Sequence, residues 1–143
     1  MAIDIFINFK GNCREAVEFY AEVFKTEKPQ IMTYGSTPPQ PGQEFPLFEE
    51  VKNLIMYASL NINGSTVMFQ DVFPSMPLAT GNNINLTIAM KDIDEIKTIF
   101  NKLKEGGTVN MELQETFWSK CYGSVVDKFG IPWQFNYVDG SGE

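Results

Sequence analysis

Two cysteines are the residues of this chain best suited to nucleophilic chemistry. Cys13 is predicted in the first turn of a helix, where backbone N–H groups and the helix dipole lower the pKa of a thiol. Cys121 precedes a predicted strand near the other end of the chain. The sequence contains no histidine, so no Ser-His or Cys-His pair can form. A nucleophilic role stays open for both cysteines, but a structural or merely exposed thiol is the favoured interpretation.

One carboxylate and three aromatic residues make a second group of candidates. Glu115 precedes the pair Phe117-Trp118 and is a candidate acid or base. Glu112 lies three residues earlier, and a regular strand would point the two carboxylates to different faces, so a paired-carboxylate site is not predicted. Phe117, Trp118 and Tyr122 are predicted to form an aromatic cluster, which suits either a planar or apolar ligand or a dimer interface.

Alternating hydrophobic residues predict the elements that position these groups. In the first half, a strand at Ile3–Phe9 precedes a helix that runs from an Asn12 cap to about Lys25. The proline-rich segment Ser36–Pro46 is a surface loop by default, with a lid or an interface element as the alternative. The other predicted strands of this half are Ile31–Gly35 and a hairpin of Leu54–Asn61 and Ser65–Val72, turning at Asn63-Gly64.

The second half repeats this order after the linker Phe73–Asn82. A helix over Asp92–Glu105 is predicted to end at Gly106-Gly107 with a left-handed cap. The predicted strands of this half are Asn83–Met90, Thr108–Glu115, Tyr122–Asp127 and Ile131–Val138. The sequence therefore predicts an α+β fold, a single domain over residues 1–143 with pseudo-repeats at about 1–72 and 83–139. Two tandem βαβββ modules are expected to form one curved mixed sheet around a cleft.

The side chains expected in this cleft follow from the same alternation. In the strand Asn83–Met90, for example, Ile84 is expected in the core with the other apolar side chains. The predicted ligand-binding residues are Phe6, Asn8, Met68, Gln70, Asn85, Trp118, Gln134 and Asn136. Carboxamides donate and accept hydrogen bonds, so this lining suits a neutral polar or anionic small molecule better than a hard metal ion. Alternatively, these polar groups pair with one another or with buried water.

Composition and charge exclude several classes of partner. The net charge is −7 with 11 scattered Lys and Arg residues, which opposes binding to nucleic acid. No apolar run is long enough for a membrane span, and the start lacks a secretory signal pattern. A cytoplasmic location with free thiols is therefore expected.

Two segments carry a family resemblance. Trp118–Trp133 reads WSKCYGSVVDKFGIPW and Phe9–Phe24 reads FKGNCREAVEFYAEVF. Together they resemble the PhnB-like branch of the vicinal oxygen chelate superfamily, which has the glyoxalase and bleomycin-resistance fold. The resemblance covers nearly the whole chain and implies a homodimer with a small-molecule ligand. Some members of this branch carry names of the demethylubiquinone methyltransferase type, but the chain has no Gly-rich loop after its first strand, so methyl transfer is not expected.

The resemblance also implies where a metal would bind. Metal-using members of the superfamily place one ligand on each of four strands, and the corresponding positions here are Asp4, Met68, Asn83 and Gln134. One carboxylate, a thioether and two carboxamides are a poor set for a first-row metal, so neither a metal nor another cofactor is expected. Relatives often have His-Ala-Glu-Leu where this chain has a Tyr57-Ala-Ser-Leu segment. Tyr57 is expected in packing, with a hydrogen bond to a ligand or an acid–base role as the alternative.

Three functional hypotheses follow. The first is a metal-independent small-molecule-binding protein, for example one that sequesters a toxic compound. The second is a lyase, isomerase or dioxygenase-type enzyme of the same fold, with a weakly bound divalent metal or with Tyr57 or Glu115 as acid or base. The third is a structural or regulatory dimer with a filled cleft.

Overall fold

The chain folds into two compact units, Met1–Leu78 and Ala79–Glu143. The computed structural model describes residues 3–36 and 49–139, so most of the predicted Ser36–Pro46 loop lies outside the described residues. The boundary between the units lies inside the predicted linker. Each unit holds one four-stranded mixed sheet and one long helix, which confirms the predicted α+β fold of two βαβββ modules.

The first unit has the strand order β1-β4-β3-β2. Strand β1 is parallel to β4, whereas β3 is antiparallel to both β4 and β2. Asn63 and Gly64 both have positive φ angles, +52° and +88°, as the predicted two-residue hairpin turn requires. The elements are β1 (Ile5–Phe9), α1 (Cys13–Val23), β2 (Gln30–Thr33), a 3-10 turn (Tyr34–Ser36), α2 (Glu49–Lys52), β3 (Ile55–Ile62) and β4 (Ser65–Asp71).

Helix α1 buries one apolar face against this sheet. Tyr20 is fully buried and stacks on Phe69 of β4 with ring centroids 5.8 Å apart. Ala16 lies on the same buried face. Val17 is also buried, whereas Phe19 is only half-buried.

The start of α1 differs from the prediction. The Asn12 side chain makes no capping hydrogen bond. Instead, the buried Asp71 at the end of β4 accepts hydrogen bonds from the backbone N–H groups of Gly11 (2.8 Å) and Cys13 (3.0 Å) through Oδ1. Its Oδ2 accepts from the N–H of Ile55 at 3.0 Å. One carboxylate therefore joins the start of the helix to the start of β3.

The second unit has the equivalent order β5-β8-β7-β6, with β5 parallel to β8. Helix α3 starts at an Asp92 cap, whose Oδ1 accepts from the N–H groups of Asp94 (2.9 Å) and Glu95 (3.2 Å). Gly106 has a φ angle of +74°, in agreement with the predicted left-handed end. The elements are β5 (Leu86–Met90), α3 (Ile93–Leu103), β6 (Thr108–Gln114), β7 (Tyr122–Val126) and β8 (Pro132–Tyr137).

A second buried carboxylate organises the turn between β7 and β8. Asp127 Oδ1 accepts from the N–H groups of Phe129 (2.8 Å) and Ile131 (3.1 Å). Its Oδ2 accepts from Trp133 Nε1 at 2.9 Å. This carboxylate gives the indole N–H of the fully buried Trp133 a hydrogen-bond partner inside the core.

Strand β5 is shorter than predicted. It begins at Leu86, which pairs with Trp133. The pairing does not extend back to Asn85, because the residue opposite it would be Pro132, the first residue of β8. Proline has no N–H to continue the ladder. Ile84, expected in the core, is consequently 72% exposed, and Asn83 and Asn85 lie outside the strand.

Within the described ranges, no helix has the length and apolar character needed to cross a membrane.

Candidate functional site

The open face of the first sheet carries four of the predicted ligand-binding residues. Phe6 is the register partner of Met68, and Asn8 is the partner of Gln70. Gln70 Nε2 donates a hydrogen bond to Asn8 Oδ1 at 2.7 Å. The structure thus brings these residues together, and it pairs the two carboxamides with each other.

Tyr57 lies on the same face as these residues. Its ring meets Phe6 edge to face, with centroids 6.4 Å apart, and the side chain is half-buried. Asp4 lies just before β1 and is exposed. Tyr57 therefore packs against Phe6 on this face, and its hydrogen bond to a ligand or acid–base role stays a prediction.

The open face of the second sheet carries Gln134 and Asn136 on β8. Their register partners on β5 are Thr87 and Ala89. Thr87 Oγ1 donates to Gln134 Oε1 over 3.4 Å. Asn85, which belongs to the same predicted set, is exposed and precedes the strand.

A cavity of about 500 Å³ opens in the second unit, between the β6–β7 loop and the end of β8. It brings together three residues that the sequence singles out for different roles, the candidate acid Glu115 and the candidate ligand-binding residues Trp118 and Asn136. Its lining consists of Glu115, Thr116, Phe117, Trp118, Ser119, Lys120, Asn136, Tyr137, Val138 and Asp139.

The loop that forms one wall of this cavity is held by Ser119. The buried hydroxyl of Ser119 lies within donating distance of two carbonyl oxygens, those of Cys121 (3.0 Å) and Tyr137 (3.1 Å), and it accepts from the N–H of Cys121 at 3.3 Å. The N–H of Ser119 donates to Thr116 Oγ1 at 3.1 Å, and the N–H of Thr116 donates to the Ser119 carbonyl at 2.8 Å. These bonds close a tight turn and tie it to β8, so the residues at its tip have a defined position.

Phe117 and Trp118 form the tip of the turn. The Phe117 ring meets Trp118 edge to face with centroids 4.8 Å apart, and Trp118 meets Tyr122 in the same manner at 5.2 Å. The predicted aromatic cluster is therefore present. Phe117 is 97% exposed and Trp118 is 53% exposed, so the turn presents aromatic surface to solvent at the mouth of the cavity.

Asn136 contributes a polar atom with an unusual environment. Its Oδ1 is buried and has no hydrogen-bond partner among the described residues. A buried acceptor without a partner costs about 1–3 kcal/mol relative to a satisfied one. In contrast to the paired Asn8 and Gln70, this carboxamide has unused capacity to bind a donor.

The two thiols do not line this cavity. Cys13 is fully buried against the sheet, and burial together with the nearby Asp71 carboxylate raises the pKa of its thiol to about 12. The expectation that the helix start lowers this pKa is therefore wrong, because desolvation outweighs the dipole. Cys121 is also buried, and burial raises the pKa of its thiol as well. Both thiols are structural.

The positions equivalent to the metal ligands of the family do not form a suitable donor set. They supply the exposed Asp4 carboxylate, the Met68 thioether and the carboxamides of Asn83 and Gln134, and hard or borderline divalent metals prefer carboxylate, imidazole or thiolate. Among residues 3–36 and 49–139, His, Cys, Asp and Glu form no group of three or more that could hold a metal ion.

Sequence patterns do not predict some residues of the cavity and of the elements that hold it. Ser119, Lys120 and Asp139 line the cavity, yet they carry no periodic signal because they lie in a loop and after a strand end. The aromatic cluster of Phe117, Trp118 and Tyr122 is the signal in the sequence that points to this loop. Asp71 is also missed, because its partners Gly11 and Ile55 are distant in sequence.

Comparison with known proteins identifies the family. The chain matches the 3-demethylubiquinone-9 3-methyltransferase family over residues 1–136. It is 31% identical over 147 aligned residues to protein YjdN of Escherichia coli, covering 96% of both chains.

Two solved structures extend the comparison. The PhnB protein from Bacillus cereus is 25% identical, with a TM-score of 0.75 over 96% of this chain and 100% of that chain. A glyoxylase/bleomycin resistance protein/dioxygenase domain from Frankia is 9% identical and shares the fold, with a TM-score of 0.65 over 100% of this chain and 94% of that one. The chain therefore belongs to the 3-demethylubiquinone-9 3-methyltransferase family, the PhnB-like branch of the vicinal oxygen chelate superfamily.

Proposed function

We propose that this protein binds a small organic molecule without a metal ion, in the cavity of the second unit. The observation that carries the proposal is the buried, unpartnered Oδ1 of Asn136 beside a cavity of about 500 Å³. After a rotation of the Asn136 side chain, a ligand that donates one hydrogen bond to this atom recovers the cost of burying it. The half-exposed Trp118 ring supplies the apolar surface that small-molecule sites require.

The first unit supports a lesser role in binding. Its carboxamides, Asn8 and Gln70, already satisfy each other at 2.7 Å, so a ligand must break that bond to use them. Phe6 and Met68 remain available for apolar contact, because Phe6 is 44% exposed and Met68 is half-buried. We assign these residues, with Asn85 and Gln134, to secondary contacts.

A homodimer is part of this proposal. The family resemblance implies one, and exposed apolar side chains of both units are compatible with an interface. Analytical ultracentrifugation at micromolar concentration tests it. A monomer at every concentration would contradict this part and leave the ligand site untouched.

One observation favours an enzyme as the second candidate. Glu115 lines the same cavity as Trp118 and Asn136, so a bound substrate would have a carboxylate within the site for proton transfer. A lyase or isomerase reaction with Glu115 as acid or base is the form of this candidate that needs no metal. Substrate turnover that Glu115→Gln abolishes, without loss of substrate binding, would establish it.

Thermal melting of chelator-treated protein tests the main proposal. We expect compounds from a metabolite and antibiotic collection to raise the melting temperature, since a ligand at 100 times its Kd adds about 2.7 kcal/mol. Asn136→Leu should remove the shift, whereas Asn85→Leu should reduce it only slightly. Parallel melts with Ni²⁺, Zn²⁺, Mn²⁺ and Fe²⁺ should show no shift that depends on Asp4. A metal-specific shift abolished by Asp4→Ala would overturn metal independence and favour the metal-dependent enzyme.

A further inference from the structure

Acidic residues outnumber basic residues in the lining of the cavity of the second unit. Glu115 and Asp139 contribute two carboxylates to the lining, and Lys120 contributes one ammonium group. The chain as a whole carries a net charge of −7. The cavity therefore attracts a cation more strongly than an anion, in contrast to the neutral polar or anionic ligand that the carboxamides of the sequence predict.

The uncharged groups of the cavity favour the same type of ligand. The faces of Trp118 and Phe117 carry the negative side of the aromatic quadrupole, which attracts an ammonium or guanidinium group. The Oδ1 atom of Asn136 is an acceptor without a partner, so it requires an N–H or O–H donor. An ammonium group meets both requirements, because it is a cation with several donors and no acceptor.

The rigid aromatic turn defines the other part of the ligand. Phe117 and Trp118 lie edge to face at 4.8 Å, and the Ser119 hydroxyl ties the turn to β8 through the Tyr137 carbonyl at 3.1 Å. Phe117 nevertheless exposes 97% of its surface. An aromatic pair of this kind, positioned before binding, suits a flat apolar group, since little side-chain entropy is lost when the group docks.

We infer that the ligand of this cavity is an organic ammonium compound with a flat apolar body. The body would lie against Trp118 and Phe117, and the ammonium group would donate to Asn136 Oδ1 and face the Glu115 carboxylate. This inference rests on the proposed function and adds the chemical class of the ligand.

Three probes with the same ring system separate charge from shape. They are 1-naphthylmethylamine, which is a cation at neutral pH, the neutral 1-naphthylmethanol and the anionic 1-naphthylacetate. Ligand-observed NMR with the full chain gives each Kd. We expect the amine to bind about tenfold more tightly than the alcohol and the acetate to bind more weakly than both. Added salt should weaken the amine alone.

Variants of the two opposite charges should change the amine affinity in opposite directions. Glu115→Gln should weaken the amine about fivefold and leave the alcohol unchanged, whereas Lys120→Met should strengthen the amine. Glu112→Gln is the matched control, because Glu112 is exposed on β6 and does not line the cavity. Trp118→Ala should weaken the amine and the alcohol together, with the exposed Met111→Ala as its control.

The possible results distinguish the two proposals. Equal affinity for the amine and the alcohol, both lost in Trp118→Ala, would overturn the inference on charge and still support small-molecule binding at this cavity. Tighter binding of the acetate would also overturn the inference. Binding that no cavity variant changes, or no binding of any probe, would contradict both the ligand class and the proposed site.

Discussion

The helices of the two units start at equivalent places in the same topology, but their first N–H groups find different partners. In the first unit, Asp71 accepts from Gly11 and Cys13, which are 60 and 58 residues away in sequence. In the second unit, Asp92 accepts from Asp94 and Glu95, two and three residues away. The same requirement of a helix start is therefore met by tertiary structure in one unit and by local sequence in the other.

This difference extends to the hairpins that close the two sheets. The β3–β4 turn is local: Asn63 and Gly64 both have positive φ angles, and Asn61 Oδ1 accepts from the N–H of Gly64 at 3.0 Å. The β7–β8 turn is organised by the buried Asp127 and supports Trp133 in the core. The two units therefore share a topology without sharing its polar contacts. Each unit is expected to lose stability at different residues.

The largest difference between the units should appear when Asp71 is removed. Asp71→Ala leaves three backbone N–H groups, those of Gly11, Cys13 and Ile55, without their acceptor. We expect the free energy of unfolding, measured by urea denaturation, to fall by about 3 kcal/mol or more. Asp71→Asn should cost less, because one oxygen can still accept. A loss equal to that of Asp92→Ala would remove the contrast between the units.

The glycines of the two hairpin turns provide a matched pair. Gly64 and Gly130 have the same φ angle of +88°, but a Cβ at Gly64 would meet nothing within 4 Å, whereas at Gly130 it would lie 2.9 Å from Thr80 Cγ2. We expect Gly64→Ala to cost about 1 kcal/mol from backbone strain alone, and Gly130→Ala to cost about 2 kcal/mol from strain and overpacking.

Thermal melting of both glycine variants and of the double variant Thr80→Ser/Gly130→Ala measures this pair. Serine lacks the Cγ2 methyl group, so the double variant should recover the excess cost of Gly130→Ala. Equal costs for the two single variants would show that the contact with Thr80 relaxes freely.

The buried thiol of Cys13, close to Asp71, should make the free energy of unfolding depend on pH in the alkaline range. In the unfolded chain Cys13 titrates near its ordinary value of 9.0, whereas in the folded protein its pKa is about 12. Between these values the folded protein holds the extra proton, so the free energy of unfolding falls as pH rises, by up to about 1.4 kcal/mol per pH unit. Below pH 9 this contribution is fully present.

Urea denaturation across this pH range, in a Cys121→Ala background, measures the effect. Cys13→Ala should flatten the decrease, leaving the part due to Tyr34, whose pKa is also raised by burial and by Asp71. A thiol reagent should label Cys13 at pH 8 only after unfolding. Rapid labelling of the folded protein would contradict the buried position of the thiol.

The smallest expected effect is the loss of the local cap in the second unit. Asp92→Ala removes the acceptor for Asp94 and Glu95, and we expect a loss of about 1 kcal/mol in the free energy of unfolding. Asp92→Asn should recover most of it, since asparagine is a good cap. A loss above that of Asp71→Ala would reverse the comparison of the two helix starts.

The sequence by itself determined the local features of this protein. The helical spacing of α1 and α3, the Asn63-Gly64 turn and the left-handed Gly106 after α3 all depend on neighbouring residues, and their predictions are confirmed. The family was recognisable for the same reason, because its motifs are contiguous. The two-residue period of a strand also predicts that Phe6, Asn8, Met68 and Gln70 share one face, whereas their pairing in register is seen only in the structure.

Tertiary structure decided the features that depend on distant residues. Strand β5 begins only at Leu86 because Pro132, on another strand, cannot extend the ladder towards Asn85. The thiol of Cys13 is inert because the sheet buries it, and α1 starts on Asp71 because the end of β4 comes to that place. The cavity that gathers Glu115, Trp118 and Asn136 likewise joins a loop to a strand end about 20 residues later. Periodicity predicts the direction of a side chain on its own element, whereas burial, hydrogen-bond partners and cavities depend on which other elements pack against it.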